Sequence, residues 1–318
     1  MRDGKTGRGE RVRRVSLDGV PTSSLTLPVR RLTRADLPAA LDLAADRSWA
    51  REAHKWRLLL SAGTGYGIDA PADDPVGGLI GAFVLTPYPG YRCVSMVLVA
   101  RRHERRGLGE RLMRHAIAES GDAVVFLSAT DNGRPLYEKL GFTTVGAVTT
   151  LQGPFTGADP GQGDTFQDDG HGRDGVRVRP ATAADIPGLL ALDRPVFGTD
   201  RTELLARLPS FADRLAVAQA PDGRLTGYAA SWPNVTTTVI GPVVAQDLRT
   251  ARALISHLGA AATLPLRYDV DDRHPELAGW LRSRGLSGDF RCTLMVRGAT
   301  DLPGDISRRF APYSVALG

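Results

Sequence analysis

One stretch of this chain occurs twice. Val29-Arg30-Arg31-Leu32-Thr33-Arg34-Ala35-Asp36-Leu37-Pro38 and Val178-Arg179-Pro180-Ala181-Thr182-Ala183-Ala184-Asp185-Ile186-Pro187 share Val, Arg, Thr, Ala, Asp and Pro at a constant offset of 149 residues. Each runs into an apolar helical pattern, at Leu41 and Leu43 in the first and Leu190 and Leu192 in the second. In both, a short extended start leads to a Thr or Asp cap and then a proline in the first helical turn. A repeat at domain length means duplication of a whole domain, not a stack of roughly 20–50-residue units. The 318 residues are enough for two such domains.

Composition places the boundaries. Residues 1–27 lack apolar periodicity and read as a basic, disordered tail. Residues 152–175, QGPFTGADPGQGDTFQDDGHGRDG, are dominated by glycine and aspartate and read as a flexible linker. The two copies are then 28–151 and 176–318. In the first, the pattern predicts a strand at 29–32 and helices at 35–45 and 50–61. Strands follow at 64–69, 77–86 and 91–100, then a helix at 108–119, a strand at 123–128, a short helix at 133–140 and a strand at 142–150. The class is α/β with a mixed sheet.

The net charge of +5 invites a nucleic-acid reading. Between Met1 and Arg31, however, eight cations face three anions, which accounts for the whole excess. The rest of the chain is balanced, so no basic face for nucleic acid is expected. Cys93 and Cys292 form no CxxC pair and no disulfide framework, which fits a reducing cytoplasm. No apolar run reaches the ~18 residues that a membrane helix needs, and no metal-ligand cluster is expected.

The chemistry concentrates in two blocks. In Ser95-Met96-Val97-Leu98-Val99-Ala100-Arg101-Arg102-His103-Glu104-Arg105-Arg106-Gly107-Leu108-Gly109-Glu110, an apolar strand enters an arginine-rich loop, and Gly-x-Gly opens an amphipathic helix. Glycines allow close backbone approach, and the unpaired N–H groups at a helix start favour an anion. No Gly-Lys-Ser/Thr follows, so this is not a nucleotide-triphosphate loop, and a third glycine for a dinucleotide fold is missing. About 30 residues on, Asn132-Gly133-Arg134-Pro135-Leu136-Tyr137-Glu138-Lys139-Leu140-Gly141-Phe142 gives a short helix, a glycine cap and a strand start.

Together these blocks resemble the GNAT superfamily of acyl-CoA N-acyltransferases: the first its pyrophosphate loop, the second its late LYEKLGF-like signature. The resemblance implies two tandem GNAT-like domains. It implies acyl transfer, most simply acetyl transfer from acetyl-CoA or another acyl-CoA, to a small-molecule amine by direct attack. It assigns the donor to the backbone around Met96, Val97 and Val99, to Arg105, Arg106, Gly107, Leu108, Gly109 and Glu110, and to Asn132, which can equally cap the helix. Tyr137 matches the tyrosine that protonates the leaving thiolate, although it also fits an apolar helix face. Trp49, Trp56, Tyr88 and Tyr91 are candidates for the acceptor. No base is evident; His54, His103 and His115 read as surface or helix residues.

Glu104 departs from the family's usual Arg or Gln three residues before Gly107. With Arg101, Arg102, Arg105 and Arg106 around it, this motivates an alternative donor, the thioester of an acidic acyl-carrier protein. A further alternative is a CoA-binding sensor without catalysis. The second copy has no glycine between Val244 and Leu258 and carries Leu281 where the first has Tyr137. It is expected to bind no CoA and to shape the acceptor cleft. A monomer is expected, because the tandem copy supplies the contact that single GNAT domains obtain by dimerising.

Overall fold

The computed structural model describes residues 27–157 and 176–318, so the expected tail through residue 26 and the linker from 158 to 175 lie outside the described residues. The first copy comprises β1 (Arg30–Arg31), α1 (Leu37–Asp46), α2 (Ala53–Ala62), β2 (Thr64–Asp69), β3 (Leu79–Tyr88), β4 (Tyr91–Val99), α3 (Leu108–Ser120), β5 (Val124–Ala129), α4 (Arg134–Lys139) and β6 (Thr143–Gly153). The second comprises β7 (Arg177–Pro180), α5 (Ile186–Phe197), α6 (Thr202–Leu205), α7 (Leu208–Phe211), β8 (Arg214–Gln219), β9 (Leu225–Pro233), β10 (Thr238–Ala245), α8 (Leu248–Ala260), β11 (Leu266–Asp271), α9 (Pro275–Ser283), β12 (Ser287–Arg297) and β13 (Arg309–Ala311).

The repeated stretch has a physical basis. In the first copy, Asp36 accepts the Thr33 amide at 2.7 Å and the Arg30 guanidinium at 2.7 Å. In the second, Asp185 accepts the Thr182 amide at 2.8 Å and the Arg179 guanidinium at 2.7 Å. The shared Arg, Thr and Asp therefore build one reciprocal cap at each helix entrance. The Arg30 hydrogen bond holds the Asp36 carboxyl down at about 2.

The described strands form one mixed sheet in the order β1-β2-β3-β4-β5-β12-β6-β11-β10-β9-β8-β7, with β13 paired to β10 off this path. The two copies exchange their last long strands. β12 of the second copy pairs antiparallel with β5 of the first, and β6 of the first pairs antiparallel with β11 of the second. β12 and β6 also pair with each other. The sequence blocks 28–151 and 176–318 thus interlock through strands. The joint is extended by the start of the expected linker: Gln152 and Gly153 belong to β6, and the Thr156 amide donates to the Arg284 carbonyl at 2.9 Å.

Because side chains alternate across a strand, the register assigns faces to the whole sheet. Thr86, Cys93, Ser95, Phe126, Leu294, Cys292, Thr150, Asp269, Arg267 and Trp232 follow one another on a single face. No described helix is long and apolar enough to cross a membrane.

Candidate active site

The site begins at an irregularity in β4. The β3–β4 ladder runs from Tyr88 opposite Tyr91 to Val84 opposite Ser95, then resumes with Ala82 opposite Leu98, so Met96 and Val97 together face Phe83. This is a β-bulge, and Met96 has φ of 52°, an unusual backbone for a residue with a side chain. β4 pairs with β5 in parallel only from Tyr91 to Cys93. Beyond that the two strands part, and no described strand covers this edge of β4, along which Val97 and Val99 are half-buried.

Beyond the end of β4 lies the Gly-x-Gly start of α3. Gly107, in the left-handed region at φ 78°, precedes α3, and no side chain caps the helix. Its first N–H groups are therefore left to solvent or a ligand. The loop before it is anchored on both sides. The Arg101 amide donates to Asp46 Oδ2 at 2.7 Å, and the Arg101 side chain donates to the Asp46 carbonyl. Arg102 and His103 both reach Asp74, at 3.0 Å and 2.6 Å, and Arg102 also donates to the Gly77 carbonyl at 2.8 Å. The Arg102 hydrogen bond, then that of His103, hold the Asp74 carboxyl far below the usual carboxylate range. Glu104 turns to an ion pair with Arg47 at the end of α1. Its carboxylate is thereby neutralised. Arg105 and Arg106 are exposed, with no side-chain partner among the described residues.

α4 rests on the same helix start. A Cβ on Gly109 would come within 3.3 Å of Leu136 Cδ2, and Lys139 pairs with Glu110 at 2.6 Å. Tyr137 is buried, edge-on to Phe142 at 6.0 Å, and its hydroxyl makes no side-chain hydrogen bond among the described residues. Burial, with Cys292 nearby, pushes the phenol up to about 12, so it stays protonated throughout the ordinary range. Asn132 is exposed and does not cap α4. Leu108 is buried beneath the helix start.

The acceptor candidates scatter. Trp56 is fully buried on α2 against the sheet, while Trp49 is exposed. Tyr88 is buried and donates its hydroxyl to the Leu317 carbonyl at 2.8 Å; Tyr91 is half-buried at the start of β4. His103 is a buried loop anchor rather than a surface group, and His115 lies edge-on to Tyr66 at 5.1 Å. His54 stacks on Phe211 of the second copy at 4.2 Å.

One cluster had no signal in the sequence. Glu52 and Lys55, both buried, pair with each other. Asn234 and Arg267 of the second copy approach Glu52 at 2.9 Å and 3.7 Å, and Arg267 pairs with Asp269 at 3.2 Å. Lys55, Arg267 and Asn234 outweigh burial and hold the Glu52 carboxyl below its ordinary value. No spacing links positions 52 and 267; only the exchanged strands bring them together.

The corresponding region of the second copy is closed. Asp247 caps α8, accepting the Thr250 amide at 2.7 Å. β13 pairs with β10 at Val243 and Val244, and the Tyr268 hydroxyl donates to the Phe310 carbonyl at 3.0 Å, so a strand of the chain itself occupies the gap beside β10. Leu281 is fully buried.

Two copies of a mixed sheet, one with a bulged, splayed strand leading into an uncapped helix start, define a tandem GNAT protein. The chain is a tandem GNAT protein, with a GNAT-domain match in each copy. The Acetyltransferase (GNAT) domain family matches residues 70–144 and, in a second form, residues 189–311. The chain is 28% identical over 238 residues to the uncharacterized N-acetyltransferase YitH of Bacillus subtilis strain 168, covering 73% of this chain and 78% of that one. Its fold is similar to that of a Pyrococcus horikoshii protein (TM-score 0.73, 15% identity, 96% of this chain and all of that one). It is also similar to the tandem GNAT protein from the clavulanic acid biosynthesis pathway (TM-score 0.58, 15% identity, 86% of this chain and all of that one).

Proposed function

We propose that the first copy transfers an acyl group, acetyl in the simplest case, from acyl-CoA to the amine of a small molecule while both are bound. The observation that carries this reading is the open edge of β4 leading directly to the uncapped start of α3. The amides after Gly107, with Arg105 and Arg106, suit a pyrophosphate. The free edge of β4 suits an amide-bearing pantetheine arm, which pairs like an added strand. The bulge at Met96 and Val97 offers backbone N–H to the thioester oxygen, where charge grows as the amine attacks. A bond forms from the amine nitrogen to the acyl carbon, and the carbon–sulfur bond breaks. The amine gives up one proton to water, the sulfur gains one from the protonated phenol of Tyr137, and water returns a proton to the phenolate, so the protons balance.

Free acyl-CoA is favoured over a carrier-protein donor because Arg101 and Arg102 are already engaged by Asp46 and Asp74. That leaves two of the four loop arginines to meet an acidic partner. Titration with acetyl-CoA by isothermal calorimetry tests the reading. One site per chain is expected; no binding, or two sites, would overturn it.

A further inference from the structure

The two copies meet over a cavity that the candidate active site does not use. It holds about 630 Å³, and its walls come from α1 and α2 of the first copy and α7 of the second. Positions 54, 57, 58 and 61 line it at helical spacing, so it runs along one face of α2. Trp56 and Leu59, fully buried, occupy the other side of that helix. The copies touch at the cavity itself. His54 Nε2 donates to the Phe211 carbonyl at 2.8 Å, and the two rings stack at 4.2 Å.

The lining carries charge of one sign. Arg34, Arg57 and Arg207 contribute guanidiniums, and no Asp or Glu is among the lining residues. Beyond residue 31 the chain has as many anions as cations, so this is a local excess. Elsewhere between and within the copies buried charges are matched, Lys55 and Arg267 by Glu52 and Arg201 by Asp193. Here they are not. Arg34 and Arg57 are exposed and have no hydrogen-bond or ion-pair partner among the described residues. Arg207 donates to the Glu203 carbonyl and lies 3.5 Å from the Glu203 carboxylate, which is itself almost wholly exposed. Ser61 and Ser210 already donate to the carbonyls of Leu58 and Arg207, at 2.9 Å and 3.0 Å. The free donors in the cavity are therefore guanidinium N–H groups.

Three like charges gathered at one cavity repel one another, and only an anion turns that repulsion into attraction. Each guanidinium presents a planar fork that matches the paired oxygens of a phosphate or a carboxylate. The volume is that of a small-molecule site.

We propose that this cavity binds a small polyanion, bearing phosphate or several carboxylates, which bridges the copies through Arg34 and Arg57 on one side and Arg207 on the other. Occupied, it ties α2 to α7. The site is separate from the start of α3, and the proposal does not depend on acyl transfer.

Calorimetry of the whole protein tests it, with pyrophosphate as the phosphate source and citrate as the carboxylate source, in about 0.1 M NaCl to suppress long-range attraction. At least one is expected to bind with a Kd of about 1 mM or tighter. Arg34→Gln, Arg57→Gln and Arg207→Gln are each expected to weaken that binding about 10-fold or more. Arg106→Gln removes the same charge beside α3 and is expected to leave it unchanged. No binding of either anion, loss in Arg106→Gln with retention in the cavity variants, or equal weakening by all four overturns the proposal. Weakening by Arg34→Gln and Arg57→Gln but not by Arg207→Gln would place the anion on the first copy alone and overturn the bridge. Thermal unfolding separates binding from folding. Arg34 and Arg57 have no partner to lose, so without anion their variants are expected to keep or raise Tm. Saturating anion is expected to raise the wild-type Tm and to raise theirs less. A lower Tm with unchanged anion affinity would mean that the guanidiniums serve the fold alone.

Discussion

The two copies differ most at the same place, where the fourth strand of each hands over to a helix. In the first, β4 leaves an open edge and α3 starts at a left-handed glycine with no cap. In the second, β10 is covered by β13 and α8 starts at Asp247, whose carboxylate takes the Thr250 amide. One scaffold thus appears once with this helix start and strand edge unpaired and once with both paired from within. A duplicated fold closes such a place not only by lacking glycines but also by pairing it with its own atoms. The second copy keeps a structural task. Its buried Arg201–Asp193 pair, at 2.6 Å, holds the Gly318 carbonyl at 3.2 Å, and the neighbouring Leu317 carbonyl receives Tyr88 of the first copy.

The comparison breaks most completely at that pair. Asp193→Ala leaves Arg201 buried without its counter-charge, a change that costs about 3–5 kcal/mol. Because β12 and β6 are exchanged, the loss is expected to reach both copies in one denaturation transition. Separate transitions would show that the copies fold independently. Gly107→Val comes next. A β-branched residue at φ 78° is strained and obstructs the backbone approach to an anion. Acetyl-CoA affinity is expected to fall about 100-fold or more, roughly what losing two charge-assisted hydrogen bonds costs, with the far-UV spectrum unchanged. Retained binding would move the donor site away from α3.

Tyr137→Phe is expected to lower kcat about 100-fold or more while leaving acetyl-CoA affinity intact, because only the leaving-group proton is removed. Equal loss in binding would make the side chain structural. The pH profile adds a sign. The phenol is neutral below its value of about 12, so wild-type activity is expected to rise as the acceptor amine deprotonates and to show no fall up to pH about 10. A descending limb near pH 8 would assign the acid to another group.

Much of this was legible in the chain. The repeat announced two copies, and the glycines at 107 and 109 marked the uncapped start of α3, because turns, caps and short motifs are local. What stayed hidden depends on distance along the chain. Glu104 read as a defect in the loop until Arg47 closed on it. Four loop arginines read as one basic patch, but Asp46 and Asp74 had already engaged two. The bulge at Met96 carries no glycine to betray it. The strand exchange is silent because no local pattern in β6 or β12 names the strand it will pair with. β13 is three residues long, too short for any period to show.

The smallest change tests the comparison from the other side. If glycine loss alone closed the second copy, removing its acidic cap would begin to reopen it. If β13 closes it, the cap is only local stabilisation. Asp247→Ala frees the Thr250 amide and removes a negative charge from the start of α8. A lost N-cap costs about 1 kcal/mol, and for a chain of this size Tm is expected to drop by about 1–2 °C. The number of acetyl-CoA sites in calorimetry is expected to stay at about one per chain, because β13 still pairs with Val243 and Val244 and β10 has no free edge to offer. A second site in this variant would show that a single carboxylate, not the inserted strand, separates the two copies.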